Sequence, residues 1–366
     1  KLDYYAGVGF IKNDGLYRSD VDWMKRYTTM FKVNSQLTNW LKIGTRINFN
    51  RQESERPRIF SGGDDMLYRM LGFHATLPAY NDNGTPNEFS VIPNIKGDSG
   101  TNKALNNNIW LNFNTEITPV KGLSIKADYT WKLTMDETNN SQLMFGGLDA
   151  DGTFMPSRRS PKSEFIEKSK ASAEYRNANI NVSYTKQLGK HNLSGIIGYN
   201  EEMNKYNSLY AQSTGIISHS NLSISTTEGA QVMAKDQLYS WATKGYFGRF
   251  TYNYDNRYMI EFNGRYDASS KYSPETRWSF FPSVSGAYNI SQEKFWIFRD
   301  YINKLKIKAS IGKLGNNSGS NYAYIPTLGI GTKYPVILGG ERPKYVTMPG
   351  IISPDLTWTK PRTIGF

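Results

Sequence analysis

At 366 residues the chain has room for two or three soluble domains. Its composition points elsewhere: 38% hydrophobic residues, 14% aromatic, mean hydropathy −0.58 and no cysteine. A disulfide framework is excluded. So is a transmembrane helix, because no run of about 18 apolar residues exists, whereas a transmembrane β-barrel needs only every second residue apolar. The net charge is +12, yet Lys and Arg are scattered, with no basic helix or RNA-binding signature, so nucleic acid is set aside. Lys1 leads almost directly into an alternating segment, with no signal peptide in view.

The alternating segments come in order. In the first, residues 3–13, Tyr4, Ala6, Val8 and Phe10 share a face. The second, 27–36, has Thr29, Phe31, Val33 and Ser35 together. In the third, Leu41, Ile43, Thr45, Ile47 and Phe49 alternate with Lys42, Gly44, Arg46, Asn48 and Asn50. About fifty residues follow, with a short helix expected over 64–77 and a turn at Asn81-Asp82-Asn83-Gly84. The fourth segment sets Ile109, Leu111, Phe113, Thr115 and Ile117 against Trp110, Asn112, Asn114 and Glu116. The fifth sets Leu123, Ile125, Ala127, Tyr129, Trp131 and Leu133 against Ser124, Lys126, Asp128, Thr130 and Lys132. A sixth ends at 178–185, and a weaker seventh runs over 192–203, with loops of about thirty residues expected before the first and after the second. The eighth to tenth lie within 246–296: Tyr246, Gly248, Phe250 and Tyr252; then Tyr258, Ile260, Phe262, Gly264 and Tyr266; then Phe280, Pro282, Val284, Gly286 and Tyr288. A short amphipathic helix is expected over 291–304. An eleventh segment has Leu305, Ile307, Ala309 and Ile311 on one face, and a twelfth has barely begun at Phe366.

Strict alternation means strands with one apolar and one polar face. Segments of about ten residues suit a membrane strand tilted across about 30 Å of hydrocarbon. Short turns near residues 39, 120, 190 and 256 alternate with generally long loops, which is the outer-membrane barrel pattern. Slipping the third segment by one residue would put Lys42 and Arg46 into lipid, at about 2–4 kcal/mol each near the midplane. The expected fold is therefore all-β: an antiparallel transmembrane β-barrel with long extracellular loops and short periplasmic turns. A soluble β-sandwich or β-solenoid is the alternative, but it accounts for neither the strand length nor the unequal connections.

Residues 246–296 resemble the SusC/RagA family of TonB-dependent outer-membrane transporters of Bacteroidota. The motifs are Phe247-Gly248-Arg249, Arg265 to Ser270 (Arg-x-Asp-x-Ser-Ser), Arg277-Trp278 and the Phe-Pro-Ser-Val-Ser run of Phe281 to Ser285. Leu305 to Asn316, Asn321-Tyr322 and Pro354 to Trp358 also fit, with Ile311 where the family pattern has Tyr. The resemblance implies a barrel of about 22 strands, of which this chain supplies about 11–12. It also implies a plug, a TonB box reached by TonB, a SusD-like lipoprotein over the mouth, and import of a large glycan or peptide. Plug, TonB box and the C-terminal strands are not recognisable here, so 1–366 reads as part of one barrel domain set in lipid and lipopolysaccharide. The alternative is a passive porin or structural barrel; Phe366 and an even strand count also admit a complete twelve-stranded one.

Catalytic and metal signatures do not assemble. His74, His191 and His219 share no ligand spacing, and Asp149-Ala150-Asp151-Gly152 lacks the closing acid of a calcium loop. No nucleophile elbow or phosphate loop is present. The chain reads as a non-enzyme without cofactor or metal. Its candidate functional surface is the polar set expected to face the lumen: Arg46, Asn48, Asn112, Asn114, Glu116, Lys126, Asp128, Arg249, Glu261, Arg265 and Asp267. Tyr68, Phe73, Tyr80, Phe89, Tyr206 and Tyr210 are candidate loop aromatics for stacking on substrate.

Overall fold

A computed structural model of the chain describes residues 1–17, 19–58, 76–149, 151–157, 160–229, 232–298, 300–331, 335–353 and 355–366. The strands are β1 (Leu2–Asn13), β2 (Trp23–Gln36), β3 (Leu41–Pro57), β4 (Thr101–Ile117), β5 (Leu123–Gln142), β6 (Gly146–Leu148), β7 (Phe154–Pro156), β8 (Phe165–Leu188), β9 (His191–Thr214), β10 (Val232–Tyr254), β11 (Tyr258–Ser269), β12 (Trp278–Asn289), β13 (Lys306–Lys313), β14 (Gly329–Gly331), β15 (Tyr345–Thr347) and β16 (Arg362–Gly365). A five-residue helix α1 (Ile92–Lys96) lies in the β3–β4 connection. Twelve strands form one sheet in the order β1-β2-β3-β4-β5-β8-β9-β10-β11-β12-β13-β16, each antiparallel to the next, and β1 and β16 do not pair with each other. β6–β7 and β14–β15 are small separate hairpins inside long connections. No helix among the described residues is long and apolar enough to cross a membrane, which says nothing about a β-barrel.

The register places apolar residue opposite apolar residue around the whole sheet. Ala6, Phe31, Ile47, Leu111 and Trp131 form one cross-strand row. Further round, Phe250, Phe262, Val284, Ile311 and Ile364 form another. This face is turned outward and bare: Val8 is 88% exposed and Ile197 68%. Aromatic pairs mark both margins of the band. Phe10 packs on Tyr27 at 5.1 Å and Tyr266 on Trp278 at 4.7 Å towards the long-loop end. Tyr258 stacks on Tyr288 at 5.1 Å, beside Tyr254, at the short-turn end. An apolar belt between two aromatic girdles is what a barrel wall presents to lipid.

Two expectations need correction. Six strands are much longer than about ten residues: β3 and β4 have 17, β5 has 20, β10 has 23, and β8 and β9 have 24 each. Crossing the hydrocarbon takes about 9–11 residues, while 24 residues reach about 80 Å. These strands therefore run on past the apolar belt at the long-loop end. There the outward positions are polar as well, Glu137 and Lys170 among them, the alternation fades, and the flanking loops shrink to 143–164 and 215–231. The connection expected as a helix over 291–304 contains a single 3-10 turn, Ile290–Gln292, and no α-helix among its described residues. Glu293 instead accepts from Arg257 (3.0 Å) and Tyr258 (2.9 Å), which draws the connection back against the β10–β11 turn. The helix expected over 64–77 lies almost wholly outside the described residues.

Buried apolar residues are few and sit at the long-loop end. Val91, Leu143, Phe145 and Ile166 lie in or next to the connections at that end; Tyr272 and Phe281 belong to a second, aromatic group. Trp358 joins the second, edge-on to Phe281 at 5.4 Å, and its indole donates to the Arg277 carbonyl at 2.8 Å. Thr276 and Thr357 bond each other's segments at 2.7 Å, so the Leu-Thr-Trp run is tied to the β11–β12 loop.

Candidate functional site: the inner wall

Every second strand residue points away from the apolar belt, and these residues make a continuous polar surface. One row runs directly across nine strands: Asn34, Gly44, Asn114, Asp128, Asn179, Asn200, Gly245, Asp267 and Ser279. Gly44 makes room in it, because a Cβ there would meet the amide oxygens of Asn34 and Asn114 at 2.6 Å each. All eleven polar residues proposed from the sequence lie on this inner face, and the structure groups them in two clusters.

The first spans β3 to β5. Arg46 lies opposite Asn112, and Asn112 donates to the Thr130 hydroxyl at 2.9 Å. Glu116 is flanked by Lys42 at 3.4 Å and Lys126 at 3.5 Å and accepts from Ser124 at 3.1 Å. These lysines are about half exposed, so each pair contributes at most about 1 kcal/mol. The amide oxygens of Asn48 and Asn50 are buried without a hydrogen-bond partner. The second cluster spans β10 and β11. Arg249 donates to Asn263 at 2.8 Å, Asn263 to Glu261 at 2.7 Å, and Arg265 forms a two-pronged pair with Asp267 at 3.0 Å.

The Phe-Gly-Arg motif acquires a physical meaning here. Phe247 faces inward and lies flat over Gly198, where a Cβ would come within 2.3 Å of its ring, and Arg265 sits 5.5 Å from the ring centre. Gly248 faces outward and Arg249 inward. Charged, amide and aromatic groups thus line one wall. Such a wall can bind hydroxyl-rich or peptide-like solutes through many weak contacts. Among the described residues no group of three or more metal-ligating side chains assembles. Asp149 is occupied as a turn former, accepting from the backbone of Asp151 (3.0 Å) and Thr153 (2.9 Å).

Of the aromatics expected in loops, Tyr206 and Tyr210 belong instead to β9 and face inward. Tyr206 stacks on Tyr239 at 4.7 Å; the Tyr210 hydroxyl lies 3.0 Å from Glu167, with Lys235 over its ring at 4.8 Å. They were misplaced for the same reason that the strands were read as short. Tyr80 and Phe89 are in the β3–β4 connection; Tyr80 is 44% exposed and borders a cavity of about 770 Å³ shared with Asn83, Leu148, Asp149 and Met155. Asn83 ties the two loops by donating to the Leu148 carbonyl at 2.8 Å. Tyr68 and Phe73 lie outside the described residues. Lys32, Asn34, Asn200 and Tyr239, absent from the candidate set, continue the same rows. Cross-strand register, not alternation along one strand, would have found them.

No family model matches the chain. It is 22% identical over 98% of its length to TonB-dependent receptor P26 of Formosa agariphila. It is 23% identical over 99% to TonB-dependent receptor SusC of Bacteroides thetaiotaomicron. Among solved structures, the RagAB peptide importer in its open-open state superposes with a TM-score of 0.78 at 20% identity, covering 99% of this chain and 39% of that one. The chain is SusC/RagA-like. Its sheet has the fold of part of a TonB-dependent receptor barrel. It spans about a third of the curated relatives, 35% of P26 and 37% of SusC. In such a barrel the polar rows become the lining and the apolar belt the lipid face.

Proposed function

We propose that this SusC/RagA-like chain forms about half the wall of an outer-membrane importer for a large nutrient, an oligosaccharide or a peptide. The plug and TonB box that would couple it to inner-membrane energy, and the remaining strands, belong to parts of the receptor outside this sequence. A SusD-like lipoprotein lids the long-loop end. The chain itself performs no catalysis: it binds, guides and releases. The observation that carries this reading is the inner row from Asn34 to Ser279, which crosses nine strands and presents an amide, a carboxylate or a hydroxyl on seven of them, with Gly44 and Gly245 on the other two. Such a surface suits a hydrated lumen with a removable filling.

The test is uptake. A deletion strain is offered a panel of oligosaccharides and peptides, with and without a functional TonB system, and the receptor is purified from outer membranes. The reading expects loss of growth or uptake on one nutrient class, the same loss without TonB, and a polypeptide of about 100 kDa or more with a co-purifying lipoprotein. TonB-independent diffusion through a 41.6 kDa polypeptide would instead establish a passive porin.

A further inference from the structure

Among the described residues the outward face has several shallow apolar dents, and one of them lies on β10 and β11 beneath an aromatic tier and a lysine. Gly248 and Gly264 stand opposite each other on β10 and β11, and Ile197 and Pro282 continue their row. Towards the long-loop end the next outward row is aromatic: Tyr199, Tyr246, Tyr266 and Phe280. On the other side lie Phe250, Phe262 and Val284. Between these rows runs an apolar groove of about 850 Å³. One outward step above the aromatic row sits Lys244. Its Nζ lies 5.8 Å from the centre of the Trp278 ring, which stacks on Tyr266 at 4.7 Å and Tyr246 at 6.3 Å. Among the described residues no carboxylate comes within ion-pair distance of Lys244. The nearest in register, Glu201, accepts instead from the Tyr199 hydroxyl at 2.5 Å.

Groove, aromatic tier and lysine occur in the order in which a membrane lipid presents chain, interface and head group. An unfilled groove forfeits dispersion contacts along its lining. Tyr and Trp rings favour the head-group level, and a lysine there attracts anionic lipid. We propose that this is a binding site for one acylated, phosphorylated glycolipid of the outer leaflet. An acyl chain lies in the Gly248–Gly264 groove, a phosphate meets Lys244, and the sugar rests near Trp278. The choice of leaflet rests on the proposed orientation, long loops outward.

The test uses the whole receptor, purified in detergent and examined by native mass spectrometry. It is incubated separately with a bisphosphorylated, multiply acylated glucosamine disaccharide, with phosphatidylglycerol and with phosphatidylcholine. One glycolipid per barrel is expected to survive detergent exchange, in preference to both phospholipids. Retention should fall at least tenfold in Lys244→Glu and in Gly248→Val, and persist in Lys244→Arg. At position 248 a Cβ meets only the Ile196 carbonyl at 3.5 Å and Ile197 at 3.9 Å, so valine fills the groove without a backbone clash. Lys244→Gln substitutes for Lys244→Glu if the latter fails to assemble. Equal retention by all variants would overturn the site as non-specific annular lipid; a preference for phosphatidylglycerol would overturn the head group and leaflet. Nutrient uptake is read separately in the same strains, so loss of the lipid site and failure of the import reading give different results.

Discussion

Phe113 and Asn114 are neighbours on β4 that point to opposite faces of the sheet. Phe113 is 51% exposed among Thr45 and Tyr129 on the outer face, while Asn114 lies between Gly44 and Asp128 on the inner one. The same basic side chain should therefore have opposite consequences at the two positions. Phe113→Arg places a charge near the middle of the lipid belt, and should destabilise the assembled receptor by about 2–4 kcal/mol. Asn114→Arg, beside Asp128, should stay within about 1 kcal/mol of wild type. Unfolding midpoints of the full receptor in lipid, read by gel mobility of the heat-modifiable form, check the contrast.

The 24-residue length of β8 and β9 predicts where water begins on the outer face. Ile180 lies within the belt, while Ser172, eight residues nearer the long-loop end and on the same face, lies about 26 Å further along the strand. A polarity-sensitive fluorophore at position 180 should report hydrocarbon, and one at 172 should report water. Equal, apolar readings at both would mean that the long strands do not leave the membrane.

At the short-turn end, Asp255 accepts from Lys190 (3.0 Å) and Arg257 (2.8 Å), and Glu293 accepts from Tyr258 and Arg257. Both carboxyls are held below the usual range, Asp255 chiefly by Lys190 and then Arg257, Glu293 chiefly by the Tyr258 hydroxyl. With the folded values lower than the unfolded ones, the unfolded chain binds more protons as pH falls. The stabilisation is complete above the ordinary carboxylate range near pH 4 and is lost as pH drops through the folded values. The unfolding midpoint of the receptor should therefore decline below about pH 4, and Arg257→Ala should flatten that decline. An unchanged slope in the variant would remove this cluster as its source.

Phe247 depends on the absence of a side chain at position 198. Gly198→Ala brings a Cβ to 2.3 Å from the Phe247 ring and 2.8 Å from the Ile180 carbonyl, and should cost about 1–3 kcal/mol as overpacking. Phe247→Ala in the same chain should recover part of that loss. A double-mutant cycle with no coupling between 198 and 247 would contradict the packing described.

How far the sequence could be read depended on the solvent that each face meets. Over 41–49, 109–117 and 258–266 one face is apolar and the other largely polar, so alternation is strict and the two faces were legible. Over 134–142, 165–177 and 200–214 both faces carry polar residues. There Glu137 and Lys170 face outward as an ion pair at 3.1 Å, and nothing in the pattern separates strand from loop. Tyr206 and Tyr210 were misplaced for that reason. The two inner clusters were legible as a face but not as groups. Arg265 with Asp267 can be guessed from their spacing, whereas Glu116 between Lys42 and Lys126 requires the pairing of three strands. The groove at Gly248 and Gly264 likewise appears only once β10 and β11 are aligned.

The central claim is that one sheet face meets lipid and the other the lumen. It is tested most directly by spin labels placed singly at positions 109 to 117 of the full receptor in bilayers. Accessibility is measured to oxygen, which partitions into lipid, and to a water-soluble nickel chelate. The expected result is a two-residue period, with oxygen favoured at Ile109, Leu111, Phe113, Thr115 and Ile117 and the chelate at Trp110, Asn112, Asn114 and Glu116. A flat profile, or one with the phase reversed, would contradict it.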